Sequence, residues 1–231
     1  MPSLATTGHA TLPAVFTPQE CDALLSALAR EEAQLLRKDP AAETHAMRDL
    51  LRVPEVRALA SDPRVRKFVE LALGPSACAV RGLFFDKMPG ANWKVAWHQD
   101  TTIAVMERRE AEGFGPWSVK FGVPHVRPPA QVLERMLAVR IHLDDCGDDN
   151  GPLRVSPGTH ALGILDAADF PRLRETHGEL ALTCPRGGVI LMKPLLLHAS
   201  SPATNPRHRR VIHLEFAAED LPAPSIWHEQ A

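Results

Sequence analysis

The stretch MLAVRIHLDDCGDDNGPLRVSPGTH, residues 136–160, decides the fold. It holds two apolar runs, Met136–Leu143 and Leu153–Ser156. Asp149-Asn150-Gly151 lies between them, and Ser156-Pro157-Gly158 closes the second. Asn-Gly and Pro-Gly tolerate positive φ or preset a bend, so each run reads as a strand that stops at a built turn. Working outward, the same grammar marks Ala79–Lys87 and Lys94–Asp100 upstream, and Gly188–Met192 and Arg210–Phe216 downstream. Between Met106 and Pro129 the chain is punctuated by Gly and Pro and reads as irregular. A loop that long in a compact domain is usually functional, and we expect a lid-like loop near 106–129.

Before about residue 78 the pattern is helical. Thr17 with Pro18 behind it and Glu20 three residues on is a capping box with Pro at the first helical position. Leu24, Leu25, Leu28, Leu35 and Leu36 follow at roughly helical spacing. Asp62-Pro63 opens a second helix carrying Val65, Phe68, Val69, Leu71 and Leu73, which Gly74-Pro75 ends. Helices first and many short strands afterwards predict an α+β fold whose core is a β-sandwich or barrel. The expected organisation is one domain over 1–231, mainly helical over about 1–77 and β over about 78–218.

Bulk properties exclude several function classes. The chain has 231 residues, enough for one sizeable core, with 45% hydrophobic and 23% charged residues. A net charge of -2 gives no electrostatic footprint for nucleic acid or an anionic membrane. No apolar stretch reaches the length of a membrane span, and Met1 to Phe16 has neither a basic stretch nor a long apolar run. Cys21, Cys78, Cys146 and Cys184 are far apart and form no CxxC pair, which predicts reduced thiols in a cytoplasmic protein.

Two His-x-Asp pairs carry the chemistry. On a strand, residues i and i+2 point the same way, so such a pair delivers an imidazole and a carboxylate to one point. Two imidazoles and one carboxylate on one face of a metal are the ligand set of non-haem iron oxygenases, with positions left open for a 2-oxo acid and dioxygen. His98-Gln99-Asp100 is one pair and His142-Leu143-Asp144 the other, and His198 can complete either. Spacing alone does not choose between them.

Several separated segments from Leu83 to Phe216 resemble the phytanoyl-CoA dioxygenase family. They are Phe84-Phe85-Asp86-Lys87 with Pro89, Trp97-His98-Gln99-Asp100, and Asp149-Asn150-Gly151-Pro152-Leu153 followed by Ser156-Pro157-Gly158-Thr159-His160. Pro194-Leu195-Leu196-Leu197-His198-Ala199-Ser200 and Arg209-Arg210 complete the set, in the family's order. The resemblance implies a double-stranded β-helix (jelly-roll, cupin-like) with the N-terminal helices on its outer sheet. It implies Fe(II) on His98, Asp100 and His198, with His142 and Asp144 beside the site and off the metal.

2-Oxoglutarate is the implied co-substrate. Its far carboxylate falls to Arg209, 11 residues after His198, with Ser200 adding a hydroxyl. Arginine suits this role because its planar fork binds a carboxylate bidentately. With Arg209, Val211 and His213 facing inward, Arg210, Ile212, Leu214 and Phe216 face the helices. Arg140 stands where the family has a Trp that contacts 2-oxoglutarate. Three roles stay open for it: the co-substrate, an acidic substrate, or a structural ion pair. Lys87 has a similar status. His160 reads as a hairpin residue and His125 as an exposed loop histidine, while Trp93, Trp97 and Trp117 are candidate pocket walls. The implied reaction is hydroxylation of a C–H bond of a small metabolite with dioxygen, 2-oxoglutarate giving succinate. Desaturation or cyclisation shares that chemistry. The Asp100 carboxylate speaks against halogenation, and no basic cluster for the phosphates of a CoA thioester is visible. The rival from another class is a cupin-like metal-binding barrel or sensor without turnover.

Overall fold

The computed structural model describes residues 2–221 and 225–231. A short helix, α1 (Pro2–Thr7), and a strand, β1 (His9–Leu12), precede three helices, α2 (Pro18–Lys38), α3 (Pro54–Ser61) and α4 (Pro63–Leu73). The capping box forms as its spacing predicts: Glu20 N–H donates to Thr17 Oγ1 at 3.2 Å, and Thr17 N–H donates to Glu20 Oε2 at 2.7 Å. Asp62 caps α4 by accepting from Arg64 N–H at 2.8 Å.

Strands β2 (Cys78–Lys87), β3 (Val95–His98), β4 (Ile103–Ala104), β5 (Trp117–Lys120) and β6 (Val123–Val126) follow. After α5 (Ala130–Glu134) come β7 (Met136–His142) and β8 (Leu153–Val155). Helix α6 (Phe170–His177) then leads to β9 (Leu180–Leu182), β10 (Val189–Met192), β11 (His198–Ser200) and β12 (Arg209–Ala217). One antiparallel sheet runs β1-β10-β7-β12-β2, a second runs β3-β11-β8-β9, and a third runs β4-β6-β5.

The period-2 geometry of the large sheet sorts its side chains into two layers. Leu137, Val139 and Ile141 of β7 and Ile212, Leu214 and Phe216 of β12 join a core with Leu24, Leu28, Val56, Val65 and Val69 of the helices. On the other face Ala138, Ile190 and Met192 meet Leu153, Val155 and Leu182 of the second sheet. All seven residues of β7 are buried, which is why its sequence is a continuous apolar run broken only by Arg140 and His142. Burying one such Leu or Ile contributes about 1.5–3 kcal/mol. No helix among the described residues is long and apolar enough to cross a membrane, and the four cysteines are free.

One expectation needs correction, and two are refined. Residues 106–129 are not irregular: β5 and β6 form a hairpin across Phe121-Gly122, whose φ angles of 53° and 80° make a tight turn. The mainly helical first third contains β1, which pairs with β10 from His9↔Met192 to Leu12↔Val189. The chain end beyond 218 belongs to the core as well. Glu229 accepts from Leu51 N–H at 2.8 Å and Gly82 N–H at 2.9 Å, and Ala231 exchanges two backbone hydrogen bonds with Ala79.

One glycine ties the N-terminal segment to the barrel. Gly187 has φ +79°, its carbonyl accepts from Val15 N–H and Phe16 N–H at 2.9 and 2.8 Å, and an added Cβ would lie 2.0 Å from Phe16 O. Both backbone strain and a backbone clash oppose any side chain there. Gly187→Ala should lower the unfolding free energy by roughly 2–4 kcal/mol in urea titration. A change within 0.5 kcal/mol, on the order of a neutral surface substitution, would show that this approach is relaxed in solution.

Candidate metal centre

Strand pairing assembles the site. β11 runs antiparallel to β3 with His198 opposite His98, and the two imidazole centroids lie 4.1 Å apart. Asp100, two residues past His98, is held by its own N–H donating to Pro194 O at 2.9 Å. Gln99, between them, points the other way. Its amide donates to Gly163 O and Leu195 O at 2.9 and 2.6 Å, and its carbonyl accepts from Leu165 N–H at 2.8 Å. The middle residue thus ties the His-x-Asp pair to the segment that leads into His198.

Both histidines are set for coordination. His98 Nδ1 lies 2.8 Å from Ala96 O, and His198 Nδ1 lies 2.8 Å from Leu196 O. A carbonyl only accepts, so each Nδ1 carries the proton and each Nε2 keeps its lone pair. Those Nε2 atoms lie 3.6 Å from the two oxygens of Asp100, and the ligand atoms of all three residues fall within 4.8 Å of one another. Burial pushes the His198 imidazole down to about 4, so it is neutral at physiological pH, as a metal ligand requires. Among the described residues this is the one group of three such side chains so placed. The donor set, two imidazole nitrogens with one carboxylate, fits a divalent iron-type cation.

The cluster opens into a cavity of about 170 Å3, walled by both facing sheets. Arg209 and Ser200 line it, as the alternation of β12 predicts. Arg209 is buried, donates to Gly151 O and reaches Ser200 Oγ at 3.4 Å, and no carboxylate pairs with it among the described residues. Lys87 is fully buried behind Ser200, donating to Ser200 Oγ and Ser201 O at 2.8 Å each. Burial, and next the Arg209 charge, push its ammonium down to about 8. Gly151 must be glycine here: φ is +62°, and a Cβ would sit 2.8 Å from Ser201 O and 3.1 Å from Lys87 Cδ.

A row of charged side chains forms another wall. Arg140 donates to His213 Nδ1 at 2.8 Å, His213 Nε2 lies 3.6 Å from Glu215, and Glu215 accepts from Arg81 at 3.2 Å. Sequence reading placed His213 inward but missed Glu215 and Arg81 as site residues. The alternation that picked Arg209 continues to Glu215, and Arg81 is its cross-strand partner on β2. Arg140 has no acidic partner among the described residues, so the structural ion pair drops out of its three readings.

The second His-x-Asp pair is not brought to the cluster. Asp144 forms a bidentate pair with Arg210 at 2.7 and 2.8 Å on the outer side of the sheet. His142 is buried with both ring nitrogens unpartnered, held neutral near 3 by burial and by Arg140 and Arg209. His125 is a correction: it is buried on β6, 3.2 Å from Arg81, because its hairpin folds back against β4. His160 sits on a 3-10 turn, Thr159–Leu162, rather than in a hairpin, and it bonds Ala5 O at 3.2 Å. Of the three tryptophans only Trp93 lines the cavity. Trp97 lies under Arg154 and Arg174, and Trp117 packs in a separate cluster with Ile103 and Val126.

Two facing sheets with the cluster at their rim define a double-stranded β-helix protein of the cupin-like class. The profile of the phytanoyl-CoA dioxygenase (PhyH) family matches residues 4–211, and the chain belongs to that family. It is 28% identical over 153 residues to an L-proline trans-4-hydroxylase of Streptomyces griseoviridis, covering 55% of this chain and 48% of the relative. Peroxisomal phytanoyl-CoA dioxygenase of Mus musculus is 25% identical over 172 residues, covering 68% and 44%. The chain thus spans about half the length of these curated relatives. The fold is that of EctD from S. alaskensis in its apoform, with TM-score 0.72 at 21% identity over 96% of this chain and 78% of that one. EctD structures with bound Fe, and with 2-oxoglutarate and 5-hydroxyectoine, superpose with TM-scores of 0.71 and 0.68. They have 21% and 22% identity, over 96% and 94% of this chain and 78% and 74% of EctD.

Proposed function

We propose that this protein is a non-haem Fe(II)/2-oxoglutarate-dependent dioxygenase that hydroxylates a C–H bond of a small metabolite. The observation that carries the reading is one cavity holding both a His98–Asp100–His198 cluster and a buried, carboxylate-free Arg209. A barrel that only stores or senses a metal has no use for the second feature. A buried guanidinium without an anion is costly, and a dicarboxylate reaching from the metal to Arg209 removes that cost.

In this reading His98, Asp100 and His198 hold the iron, and Arg209 with Ser200 and Lys87 holds the far carboxylate of 2-oxoglutarate. When bound, the two supply dioxygen activation coupled to decarboxylation of the oxo acid to succinate and carbon dioxide, with one oxygen atom passing to the substrate. The chain's own part is to orient and enclose. Ala96 O and Leu196 O fix the imidazole tautomers, and Leu83 and Phe85 give the substrate side an apolar wall. The β5–β6 hairpin, held by Lys120 donating at 3.0 Å to Thr102, two residues past Asp100, serves as lid and keeps water out. The Asp100 carboxylate occupies the position a halogenase leaves for chloride, which favours oxygen insertion.

Anaerobic addition of Fe(II) and 2-oxoglutarate together should give a charge-transfer absorption that neither gives alone. Succinate should then form on admission of oxygen, fastest with the right metabolite from a screen. Metal binding without any affinity for 2-oxoglutarate would leave the non-catalytic barrel as the surviving reading.

A further inference from the structure

Charge in the cavity is out of balance. Arg81, Arg140 and Arg209 line it and Lys87 stands directly behind Ser200, whereas the only carboxylates lining it among the described residues are Asp100 and Glu215. Iron and 2-oxoglutarate, as read above, carry equal and opposite charge and so do not change this. Glu215 is taken by Arg81 at 3.2 Å, and Asp100 by the metal cluster. Arg209 and Lys87 share the far carboxylate of the co-substrate. Arg140 is left over.

Its setting is unusual for a cation. Arg140 is 9% exposed, its one hydrogen bond goes to the neutral acceptor His213 Nδ1 at 2.8 Å, and its Nε is buried with no partner. Arg209 repels it more than Asp100 attracts it, and Asp100 belongs to the metal cluster. A buried charge in such a place is retained at a cost of several kcal/mol unless a ligand brings the counter-charge. Leu83, Phe85 and Trp93 line the same cavity and suit a carbon skeleton.

We propose that the primary substrate is a small molecule bearing a carboxylate, and that Arg140 is the side chain that reads it. The inference rests on the dioxygenase reading of this site and names its substrate class. With Nη1 engaged by His213, the guanidinium N–H donors that remain match one singly charged, planar oxyanion, and the register of β7 against β12 fixes where they stand.

The test uses the metal-loaded protein saturated with 2-oxoglutarate. Ligand-observed NMR compares small carboxylic acids with their primary amides, L-proline with L-prolinamide and benzoate with benzamide among them. The acids should bind at least about tenfold more tightly than their amides, which is about 1.4 kcal/mol. Arg140→Gln should bring that ratio close to one while the 2-oxoglutarate constant stays within about threefold, and Arg140→Lys should keep most of the preference. Amides binding as well as acids, or no acid of the set binding, overturns the proposal. So does an Arg140→Gln protein that loses 2-oxoglutarate as severely as Arg209→Ala, because Arg140 then belongs to the co-substrate. Wild-type protein that binds no 2-oxoglutarate at all strikes the dioxygenase reading itself and takes this inference with it.

Discussion

Replacing His98 or Asp100 with Ala should weaken Fe(II) or Mn(II) binding by more than about 100-fold, while His142→Ala should leave it within a few-fold. The size follows from coordination chemistry. Loss of a hydrogen bond that merely orients a ligand already costs about 10–100-fold in metal affinity, so loss of a ligand itself exceeds that. Three donors are in place here, with ligand atoms within 4.8 Å of one another, and removing one leaves two for a labile divalent ion. His142 faces none of this: Asp144, its partner in the rival pair, is engaged by Arg210 at 2.7 and 2.8 Å on the outer side of the sheet. Isothermal titration on the three variants, with circular dichroism to confirm folding, decides the matter. A His142 variant that loses the metal while the His98 variant keeps it would reverse the assignment.

The sequence could not choose between the two pairs on spacing, and the structure shows why they differ. His98 and Asp100 straddle the end of β3, so both turn to the rim where β11 delivers His198. His142 ends β7 inside the sheet, and the chain leaves the ladder before Asp144. Strand ends of this kind are set by pairing across the barrel, which no local pattern records. The same limit explains the strands that reading missed. β9 and β11 have three residues each and β4 has two, too short for a period to register. The β5–β6 hairpin was hidden for a different reason: Val119 and Phe121 are both 71% exposed, so its tip lacks the buried apolar face that marks a strand. Where one face is buried against helices and the other against a cavity, as on β12, alternation was legible residue by residue. Arg81 and Glu215 show what remained out of reach, since their pairing at 3.2 Å follows from cross-strand register and not from either strand alone.

Arg209→Ala should raise the apparent constant for 2-oxoglutarate by about 30-fold or more while metal still binds, and Arg210→Ala should change it little. These neighbours differ because β12 turns one to each side. Arg209 enters the cavity beside Ser200 and Lys87, with its Nε unpartnered and no carboxylate in contact among the described residues. Arg210 points to the outer side, paired with Asp144 and packed over the groove beside Leu25 and Leu28. Losing one side of a buried, charged hydrogen bond leaves the other charge unpaired, which costs on the order of 2–5 kcal/mol. That cost falls on co-substrate binding for Arg209. For Arg210 the lost pair is partly exposed and contributes about 1 kcal/mol at most, read as folding stability and not as affinity. The two variants therefore separate on two instruments: titration with 2-oxoglutarate or a non-reactive analogue under metal-loaded, anaerobic conditions, and urea unfolding. Arg209→Lys sharpens the comparison, because it keeps the charge but not the planar fork, and its affinity should lie between wild type and Arg209→Ala. A larger loss of 2-oxoglutarate affinity for Arg210→Ala than for Arg209→Ala would mean that β12 is shifted by one residue in solution, and with it the wall that carries His213 and Glu215.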